Sequence, residues 1–408
     1  MPRRSSKTRR SGAEWTVRGM LALTAAALGY VSVAYTLGYS LRTSATEQGH
    51  RLAPADGRIT ALMAQRLGKI DAPVADRLLA NRLARAALLQ DPTAVVAAST
   101  LGLNAQLAGN TKSARRLFSY AEKLSRRELQ TEIWAIEDAV GRADVPGVLH
   151  HYDVALRTSR SAPDILFPIL ASAISDADIR RALLKTLMDG PAWGPSFVNY
   201  ASANAESDAA IRLFESMAGA GLAVTDEPRA RVVSAMIGQG RARAAWVYYT
   251  TFRTKVDPRM SRDARFNADV KLPTPFDWVA VNDDGMSASI QRNGNAGIFD
   301  FAAPPSIGGA LLRQIQVLPP GEYWLAGHSI GVDQDVAVRP YWLLSCSDGR
   351  ELGRVYMPNS TQAKGRFEGR FTVPADCPVQ SLMLVARPTD NVAGLSGQVD
   401  WVSLQPLH

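Results

Sequence analysis

The sequence predicts a multidomain α + β protein with a transmembrane helix, a solenoid of paired α-helices and an antiparallel β-sandwich, in that order. Three observations support this order. Residues 19–41 carry no charge, residues 57–258 repeat a pattern of small and large apolar positions every 34 residues, and residues 276–408 alternate between short apolar segments and turn residues. Hydrophobic periodicity and turn chemistry are the main secondary-structure signals in a single sequence.

The net charge of +8 is concentrated in residues 1–18, which form a basic tail. This tail carries +5, so the rest of the chain carries only +3; its charged residues are Arg3, Arg4, Lys7, Arg9, Arg10 and Arg18 against Glu14. A nucleic-acid-binding domain usually has its basic residues on one folded face. We therefore expect no nucleic-acid partner.

The uncharged segment after the tail is long enough to cross a membrane. It runs for 23 residues, from Gly19 to Leu41, between Arg18 and Arg42. A helix of that length covers about 34 Å, and a hydrocarbon core is roughly 30 Å thick. The positive-inside rule places the N-terminus in the cytoplasm, so we expect a single-pass protein of the bacterial inner membrane with a periplasmic bulk. The small residues ending at Ala34 leave an alternative open, in which a signal peptidase cleaves there and releases the protein.

Two polar segments are predicted to be linkers. Residues 42–56 are rich in polar and small residues and lead from the membrane to the repeats. Residues 259–275 follow the last repeat and end with Pro273 and Pro275. Proline and clusters of small polar residues are typical of connecting segments.

The 34-residue recurrence is clearest from Val95 to Glu128. In that stretch the recurring positions are Leu101, Gly102, Ala114, Phe118 and Ala121; their counterparts 34 residues earlier include Leu67, Gly68, Ala80 and Ala87, and those 34 residues later include Tyr152 and Ala155. The register slips by six residues near 189–195 and resumes with the pairs Ala210/Phe214 and Ala244/Tyr248. Small residues at two positions allow two helices to approach closely, while large ones fill the space between them.

These positions are the signature positions of the tetratricopeptide repeat, so residues 57–258 resemble a tetratricopeptide-type α-solenoid of about six hairpins. The resemblance implies a concave face that binds a protein partner. Asn104, Arg115 and Arg116 are candidates on that face in a general sense only.

From Phe276 onward the pattern predicts eight or nine short strands and no helix. Turns such as Pro319-Pro320-Gly321 and Ser347-Asp348-Gly349 separate them; the predicted strands are Phe276–Val281, Met286–Arg292, Gly297–Phe301, Leu311–Val317, Glu322–Ala326, Tyr341–Ser345, Arg366–Val373, Ser381–Ala386 and Gly397–Leu404. Many short strands with regular turns are typical of a β-sandwich of the jelly-roll kind.

The segments 319–325, 341–346 and 397–404 resemble those of non-catalytic carbohydrate-binding modules and galactose-binding-like sandwiches. This resemblance implies a polysaccharide ligand that stacks on exposed aromatic rings. Six aromatic residues are candidates: Trp278, Tyr323, Trp324, Tyr341, Trp342 and Trp401. Of these we choose Trp401, Trp278 and Tyr341. Strand alternation alone does not settle on which face Trp401 lies, because Asp400 occupies the opposite set of positions.

The chain has two cysteines, Cys346 and Cys377, both in the predicted sandwich. In an oxidising compartment a single pair is expected to form one disulfide, and the alternative is two buried free thiols.

No set of residues predicts catalysis, a metal or a cofactor. Gly327 to Gly331 match the G-x-S-x-G motif, but no helix is expected after Ser329 and the only later histidine is His408, so a glycine-rich turn between strands is predicted instead. His150 and His151 are adjacent on a predicted helix and point about 100° apart, so they are expected to be exposed residues that share no metal ion. The turn aspartates Asp283, Asp284, Asp333 and Asp335 could offer oxygens to Ca²⁺, although a turn role is favoured.

The sequence therefore predicts a non-enzymatic, membrane-anchored periplasmic scaffold that holds a protein partner through its repeats and contacts glycan through its sandwich. Analogy suggests a role in exopolysaccharide or cell-envelope assembly. Two alternatives stay open. One is a glycan-processing enzyme with a carboxylate pair about 5–10 Å apart beside a tryptophan. The other is a structural protein whose sandwich binds no sugar, which would be favoured if all six aromatic residues were buried.

Overall fold

A computed structural model of the chain describes residues 12–253, 256–293 and 296–407. The chain divides into two compact units, the first ending at Leu166 and the second beginning at Phe167. The first unit is helical, and the second contains further helices and two antiparallel sheets. Most of the predicted basic tail, residues 1–11, and the terminal His408 lie outside the described residues.

Helix α1 (Gly12–Leu41) contains the predicted membrane segment and begins seven residues before it. Residues 12–18, which were predicted as tail, are therefore helical. Within the described residues, α1 is the one helix that is long and apolar enough to cross a membrane, with a mean hydropathy of 1.6 over its most apolar window.

The predicted linker at 42–56 is wrong, because it contains helix α2 (Thr46–Leu52). This helix folds back against the end of α1. A Cβ at Gly49 would lie 2.9 Å from the carbonyl oxygen of Gly38, and one at Gly38 would lie 3.0 Å from the Cβ of Ala53. The two glycines therefore permit a close helix–helix contact that the polar composition of this segment did not reveal.

In the described part of the chain, twelve further helices follow α2. They are α3 (Gly57–Leu67), α4 (Val74–Gln90), α5 (Val95–Leu107), α6 (Thr111–Leu124), α7 (Leu129–Gly141), α8 (Val145–Thr158), α9 (Ala162–Ala173), α10 (Ala177–Met188), α11 (Gly194–Asn204), α12 (Ser207–Gly219), α13 (Asp226–Gly238) and α14 (Ala242–Phe252). Side chains cap several N-termini; Asp56, Asn110, Asp144 and Asp176 each accept backbone N–H groups from the first helical turn.

The α5/α6 pair contains the close contact that the repeat spacing predicts. A Cβ at Gly102 would lie 2.9 Å from the ring of Phe118, so only glycine lets this ring pack against α5. Ala114 and Ala121 of α6 are fully buried. In α14 only one residue of the predicted pair is buried: Tyr248 is buried, but Ala244 is exposed and the neighbouring Ala245 is buried instead.

Among the described residues of the second unit, ten strands form two five-stranded antiparallel sheets. They are β1 (Val279–Ala280), β2 (Ser287–Asn293), β3 (Ala296–Ala303), β4 (Gly309–Gln316), β5 (Gly321–Ile330), β6 (Tyr341–Cys346), β7 (Glu351–Tyr356), β8 (Arg366–Val373), β9 (Gln380–Ala386) and β10 (Leu395–Pro406). Sheet I has the order β1-β4-β9-β6-β7, and sheet II has the order β2-β3-β10-β5-β8. Strand β7 was not predicted.

Buried side chains from both sheets form one core, as expected of two sheets packed face to face. Sheet I contributes Leu312, Trp342 and Leu384, and sheet II contributes Phe299 and Leu325. Along β5 the buried residues alternate with partly exposed ones, which defines an outward face for sheet II.

The predicted linker at 259–275 is also wrong, because this segment belongs to the sandwich. The backbone N–H of Ser261 donates to Leu404 at 2.9 Å, and the N–H of Val402 donates to Ala264 at 2.9 Å. Phe266 is fully buried in the sandwich core. The segment pairs with β10 beyond the point where β3 ends, and so satisfies backbone groups that would otherwise have no partner.

Within the second unit, α14 is joined to the start of the sandwich by a polar and aromatic contact. The Tyr249 hydroxyl donates to Asp277 at 2.7 Å, and the rings of Trp246 and Phe276 meet edge to face at 5.2 Å. Arg262 is buried beside them. The last helix and the sandwich therefore share one packed interior.

Candidate functional site

The three predicted glycan-contacting residues lie in three different environments. Trp278 is in the core, where its indole packs against Phe266 and Trp342 and its Nε1 donates to the Asp263 carbonyl at 3.1 Å. It is only 4% exposed, so its assignment as a sugar platform is wrong. An indole whose N–H has a backbone acceptor is suited to burial, and this contact depends on the 259–275 segment that was predicted as a linker.

Tyr341 lies on the outward face of sheet I, and its ring is already in contact with two neighbouring side chains. The guanidinium of Arg354 sits 4.6 Å from its centroid, and Tyr356 packs against it at 5.6 Å. Arg354 is itself held by both carboxylate oxygens of Glu351, at 2.7 and 2.8 Å. A sugar would have to displace this arrangement to reach the Tyr341 face.

Trp401 lies on the outward face of sheet II, and a β-bulge puts it there. The register of β10 against β5 shifts between Val399 and Trp401. Val399 and Val402 both point into the core, three residues apart, while Asp400 and Trp401 between them are both partly exposed. The bulge interrupts the strict alternation of β10. Asp400 therefore does not have to share the buried face with Val402 and Leu404, as strict alternation would require.

Asp400 is bonded across the strands to a histidine. His328 on β5 is paired in register with Trp401, and its Nδ1 lies 2.7 Å from an Asp400 carboxylate oxygen. Both side chains are partly exposed. The bulge thus places an indole, an imidazole and a carboxylate together on one face. The imidazole and the carboxylate can accept hydrogen bonds from sugar hydroxyls, and the imidazole and indole N–H groups can donate them.

A second tryptophan lies on the same face. Trp324 is four residues before His328 on β5 and is paired with Gln405 of β10. Between the two indoles lie the small side chains of Ala326 and Ser403, which face each other in register. Four residues correspond to about 13 Å along a strand. We call this surface the Trp401 face; it comprises Trp324, Ala326 and His328 of β5, Asp400, Trp401 and Ser403 of β10, and Arg366, Glu368 and Arg370 of β8.

The side of the Trp401 face formed by β8 is strongly charged. Arg366, Glu368 and Arg370 alternate with the buried Phe367 and Phe371, and all three charged residues are exposed. On the other side of the face, toward β3, Asp300 accepts a hydrogen bond from Gln398 of β10 at 2.7 Å. The face therefore has acidic groups on one side and mostly basic groups on the other.

The predicted turn at Gly327 to Gly331 is wrong for most of its length, since β5 continues to Ile330. Ser329 points into the sandwich, is 1% exposed and donates to the Gly365 carbonyl at 3.3 Å. Gly327 is needed inside the strand because a Cβ there would lie 2.2 Å from the Phe367 ring. His328 points to the opposite face from Ser329, so the two do not form a nucleophile–base pair.

The described residues contain no group of three histidine, cysteine or acidic side chains arranged to hold a metal ion. Among the turn aspartates, Asp333 accepts a hydrogen bond from Asn359 at 2.9 Å. Asp284 has a positive φ of 54° next to Gly285, which also has a positive φ. These features are those of turn residues.

The first unit contains a groove of about 1030 Å³. Its floor is apolar and includes Leu103, Phe118 and Trp134, and its charged lining residues are Arg42, Arg66, Lys69, Asp71, Glu128 and Glu137. Burial raises the pKa of Glu128. Arg42 directly follows α1, so the groove starts where the apolar helix ends.

The three candidate residues on the helical repeats already have partners within the protein. Asn104 is buried and donates to Asn81 at 2.9 Å. Arg115 pairs with Asp138 at 2.7 Å, and Arg116 donates to Ser113 at 3.3 Å. None of the three lines the groove described above.

His150 is exposed as predicted. His151 is not exposed, and it forms a hydrogen-bonded pair with the buried Glu132 instead. His151 Nδ1 lies 2.9 Å from Glu132 Oε2, and Glu132 is 1% exposed. The other carboxylate oxygen of Glu132 has no hydrogen-bond partner among the described residues. The hydrogen bond that His151 donates to Glu132 raises the pKa of His151, against the opposing effect of burial.

We expect the His151–Glu132 pair to make the stability of the first unit depend on pH. A raised pKa means that the folded state binds the proton more tightly than the unfolded state does. The stability gained is complete below the ordinary histidine pKa of about 6.5 and is lost as the pH rises through the raised value. Thermal unfolding followed by circular dichroism should therefore show a pH-dependent loss that His151→Gln abolishes. His150→Gln is the control, and an unchanged profile in His151→Gln would contradict the prediction.

No protein-family model and no curated protein matches the chain. Among solved structures, part of the chain is similar to the glycosylation-associated protein (Gap123) complex of Streptococcus agalactiae, with 10% identity, 31% of this chain and 40% of that chain covered, and a TM-score of 0.21. Part of the chain is also similar to the enzymatically active domain of tailspike protein 4 of bacteriophage CBA120, with 10% identity, 37% of this chain and 22% of that chain covered, and a TM-score of 0.24. The chain spans less than half the length of either. Both scores are low, so neither likeness is evidence for fold or function.

Proposed function

We propose that this protein is a non-enzymatic scaffold tethered to the bacterial inner membrane, with its bulk in the periplasm. The apolar helix α1 and the basic residues before it support this placement. The disulfide between Cys346 and Cys377 fits an oxidising compartment. A role in exopolysaccharide or cell-envelope assembly follows from this position, and from the two binding surfaces proposed below.

The helical pairs act as a tetratricopeptide-like solenoid that holds a protein partner. The Gly102–Phe118 contact supports the repeat assignment, because glycine at this position serves the close approach that the repeat needs. The groove of the first unit supports the binding role. Its apolar floor and its basic and acidic lining residues suit an extended or helical peptide segment.

The sandwich acts as a carbohydrate-binding module of the jelly-roll kind. The strand order supports this, because β3 to β10 are divided between the sheets as β4-β9-β6-β7 and β3-β10-β5-β8, which is the order of a jelly roll. The observation that carries the glycan assignment is the bulge at Asp400. It presents Trp401 and Asp400 together beside His328, on a face with a second indole and small residues between.

We expect Trp401→Ala to weaken polysaccharide binding by about 2 kcal/mol, roughly thirtyfold, because exposed aromatic anchors carry most of the affinity of such surfaces. The measurement is affinity gel electrophoresis or biolayer interferometry of the full-length protein in detergent, against a panel of immobilised polysaccharides. Tyr356→Ala is the matched control, since it removes a 48% exposed aromatic ring from the opposite sheet. Absence of binding to every polysaccharide would reject the glycan half of the proposal.

The two alternatives make different predictions in the same assay. A purely structural sandwich is less favoured because only three of the six aromatics are buried, namely Trp278, Tyr323 and Trp342.

A glycan-processing enzyme would release shorter products from a bound polysaccharide. On the Trp401 face Asp400 is bonded to His328, whereas Glu368 is a free exposed acid in the described part of the chain. Product release that Glu368→Gln abolishes would favour the enzyme.

A further inference from the structure

We propose that the polysaccharide bound by the Trp401 face is acidic, and that two indole–guanidinium pairs recognise a uronic acid chain. The inference rests on the proposed glycan-binding function and adds the class of ligand. It follows from the register of three adjacent strands, from the state of the two arginines and from the distance between the pairs.

The register places one tryptophan and one arginine in each of two parallel rows. In the first row Trp401 is paired with His328, and His328 with Arg366. In the second row Gln405 is paired with Trp324, and Trp324 with Arg370. Both rows therefore hold one indole and one guanidinium. The two groups are on adjacent strands in the second row and two strands apart, with His328 between them, in the first.

Each pair combines the two contacts that a uronic acid offers. The face of a pyranose ring carries C–H groups that stack on an indole, and its carboxylate accepts two parallel hydrogen bonds from a guanidinium. Arg370 already lies 5.7 Å from the Trp324 centroid, so the cation and the ring are close enough to contact one sugar residue together. In the first row the His328 imidazole lies between the two groups in register.

The two guanidiniums are available, unlike those of Arg350 and Arg354. Over the described residues, neither Arg366 nor Arg370 forms an ion pair, although both are exposed. By contrast, Arg350 is held by Asp348 and Asp376, and Arg354 is held by Glu351. An anionic ligand would therefore meet these two cations without first breaking a salt bridge.

The row between the two pairs allows a chain to lie flat. It contains Ser403, Ala326 and Glu368 in register. The two small side chains leave the space between the indoles open, over about 13 Å along the strands. Glu368 adds one negative charge between two positive ones. It therefore disfavours a ligand with uniformly dense charge, and favours one whose acidic groups are spaced along the chain.

The test compares full-length protein, in detergent, on immobilised polygalacturonate, alginate and hyaluronate, and on polygalacturonate whose carboxyl groups have been reduced to alcohols. We expect retention by at least one uronate polymer and, for polygalacturonate, about tenfold weaker binding after reduction. We expect the double variant R366Q/R370Q to lose at least about tenfold on the acidic polymer and little on the reduced one. R313Q, which removes an exposed arginine from the outward face of sheet I, is the matched control and should bind normally.

The outcomes separate the inference from the function it rests on. Equal binding to acidic and reduced polymer, or full binding by R366Q/R370Q, overturns the acidic ligand and leaves glycan binding intact. No binding to any polysaccharide overturns both. Binding to dextran sulfate or to anionic phospholipid vesicles that equals binding to uronates, and that Trp401→Ala leaves unchanged, indicates simple ion exchange and overturns the inference. The ligand reduction tests the idea even if R366Q/R370Q does not fold.

Discussion

Replacing Arg262 with alanine is expected to lower the free energy of unfolding of the second unit by about 3–5 kcal/mol. Arg262 lies between the two sheets at the end nearest α14, and its side chain is buried. Its Nε donates to the Phe276 carbonyl at 2.7 Å, one terminal nitrogen donates to Gln316 at 2.9 Å, and the other donates to the Ile315 carbonyl. Alanine would leave all three acceptors without these donors in a place that water does not reach.

The charge of Arg262 also contributes to stability, beside its hydrogen bonds. Burial lowers its pKa to about 10, so it stays protonated at neutral pH. Asp277, which accepts from Tyr249 and from Thr274, is the acid whose charge supports it. Removing the guanidinium would therefore also leave a mostly buried carboxylate without its nearby cation.

The measurement is chemical denaturation of the full-length protein, followed by tryptophan fluorescence. R262K should recover part of the loss, because lysine restores the charge but its single ammonium group cannot donate to all three acceptors in the geometry of a guanidinium. R259A is the matched control: this neighbouring arginine is exposed, pairs with Asp257 and should change stability by less than about 0.5 kcal/mol. A loss below about 1 kcal/mol in R262A would show that Arg262 is not what joins the 259–275 segment to the sandwich.

Replacing both cysteines with serine is expected to destabilise the sandwich by about 3–4 kcal/mol. The Cys346–Cys377 disulfide confirms the predicted pairing, and it closes a loop of 31 residues that joins the end of β6 to the connection between β8 and β9. Opening the loop gives the unfolded chain more conformational freedom, and that entropy is the source of the loss.

Thermal unfolding with and without a reducing agent measures this effect. Reduction should lower the melting temperature of the wild type, and the double serine variant should match the reduced wild type and be insensitive to the reagent. Either single serine variant is a control for the free thiol left behind. A wild type whose melting temperature is unchanged on full reduction would contradict the prediction.

The sequence predicts the bounds of a strand best where one side of the strand is clearly apolar and the other clearly polar. The observed bounds of β8 are the predicted ones, because Arg366, Glu368 and Arg370 alternate with buried phenylalanines. Strand β7 was missed because it is an edge strand, in which both faces carry exposed residues and Gly353 breaks the alternation.

The sequence predicts the candidate site only in part. Of the chosen rings, Trp401 is partly exposed and Trp278 is buried. The sequence does not separate the two, because an indole in a strand has the same appearance whether it faces the core or the solvent. In the sequence His328 stands inside the G-x-S-x-G match, which does not indicate a sugar contact, and no motif marks Arg366 or Arg370. Alternation along β8 was a signal that could have placed the two arginines on one outward face.

The sequence by itself determined the apolar N-terminal helix, the helical part that follows it, the β-rich last third and the expected pairing of the two cysteines. Each of these depends on composition or on a period within one continuous stretch. Only the tertiary structure decided that residues 259–275 join the sandwich, that Arg262 is buried, and that Asp400 and Trp401 share a face. These features depend on hydrogen bonds between strands far apart in the chain, where the register of the partner strand sets the position of a bulge and the burial of a side chain.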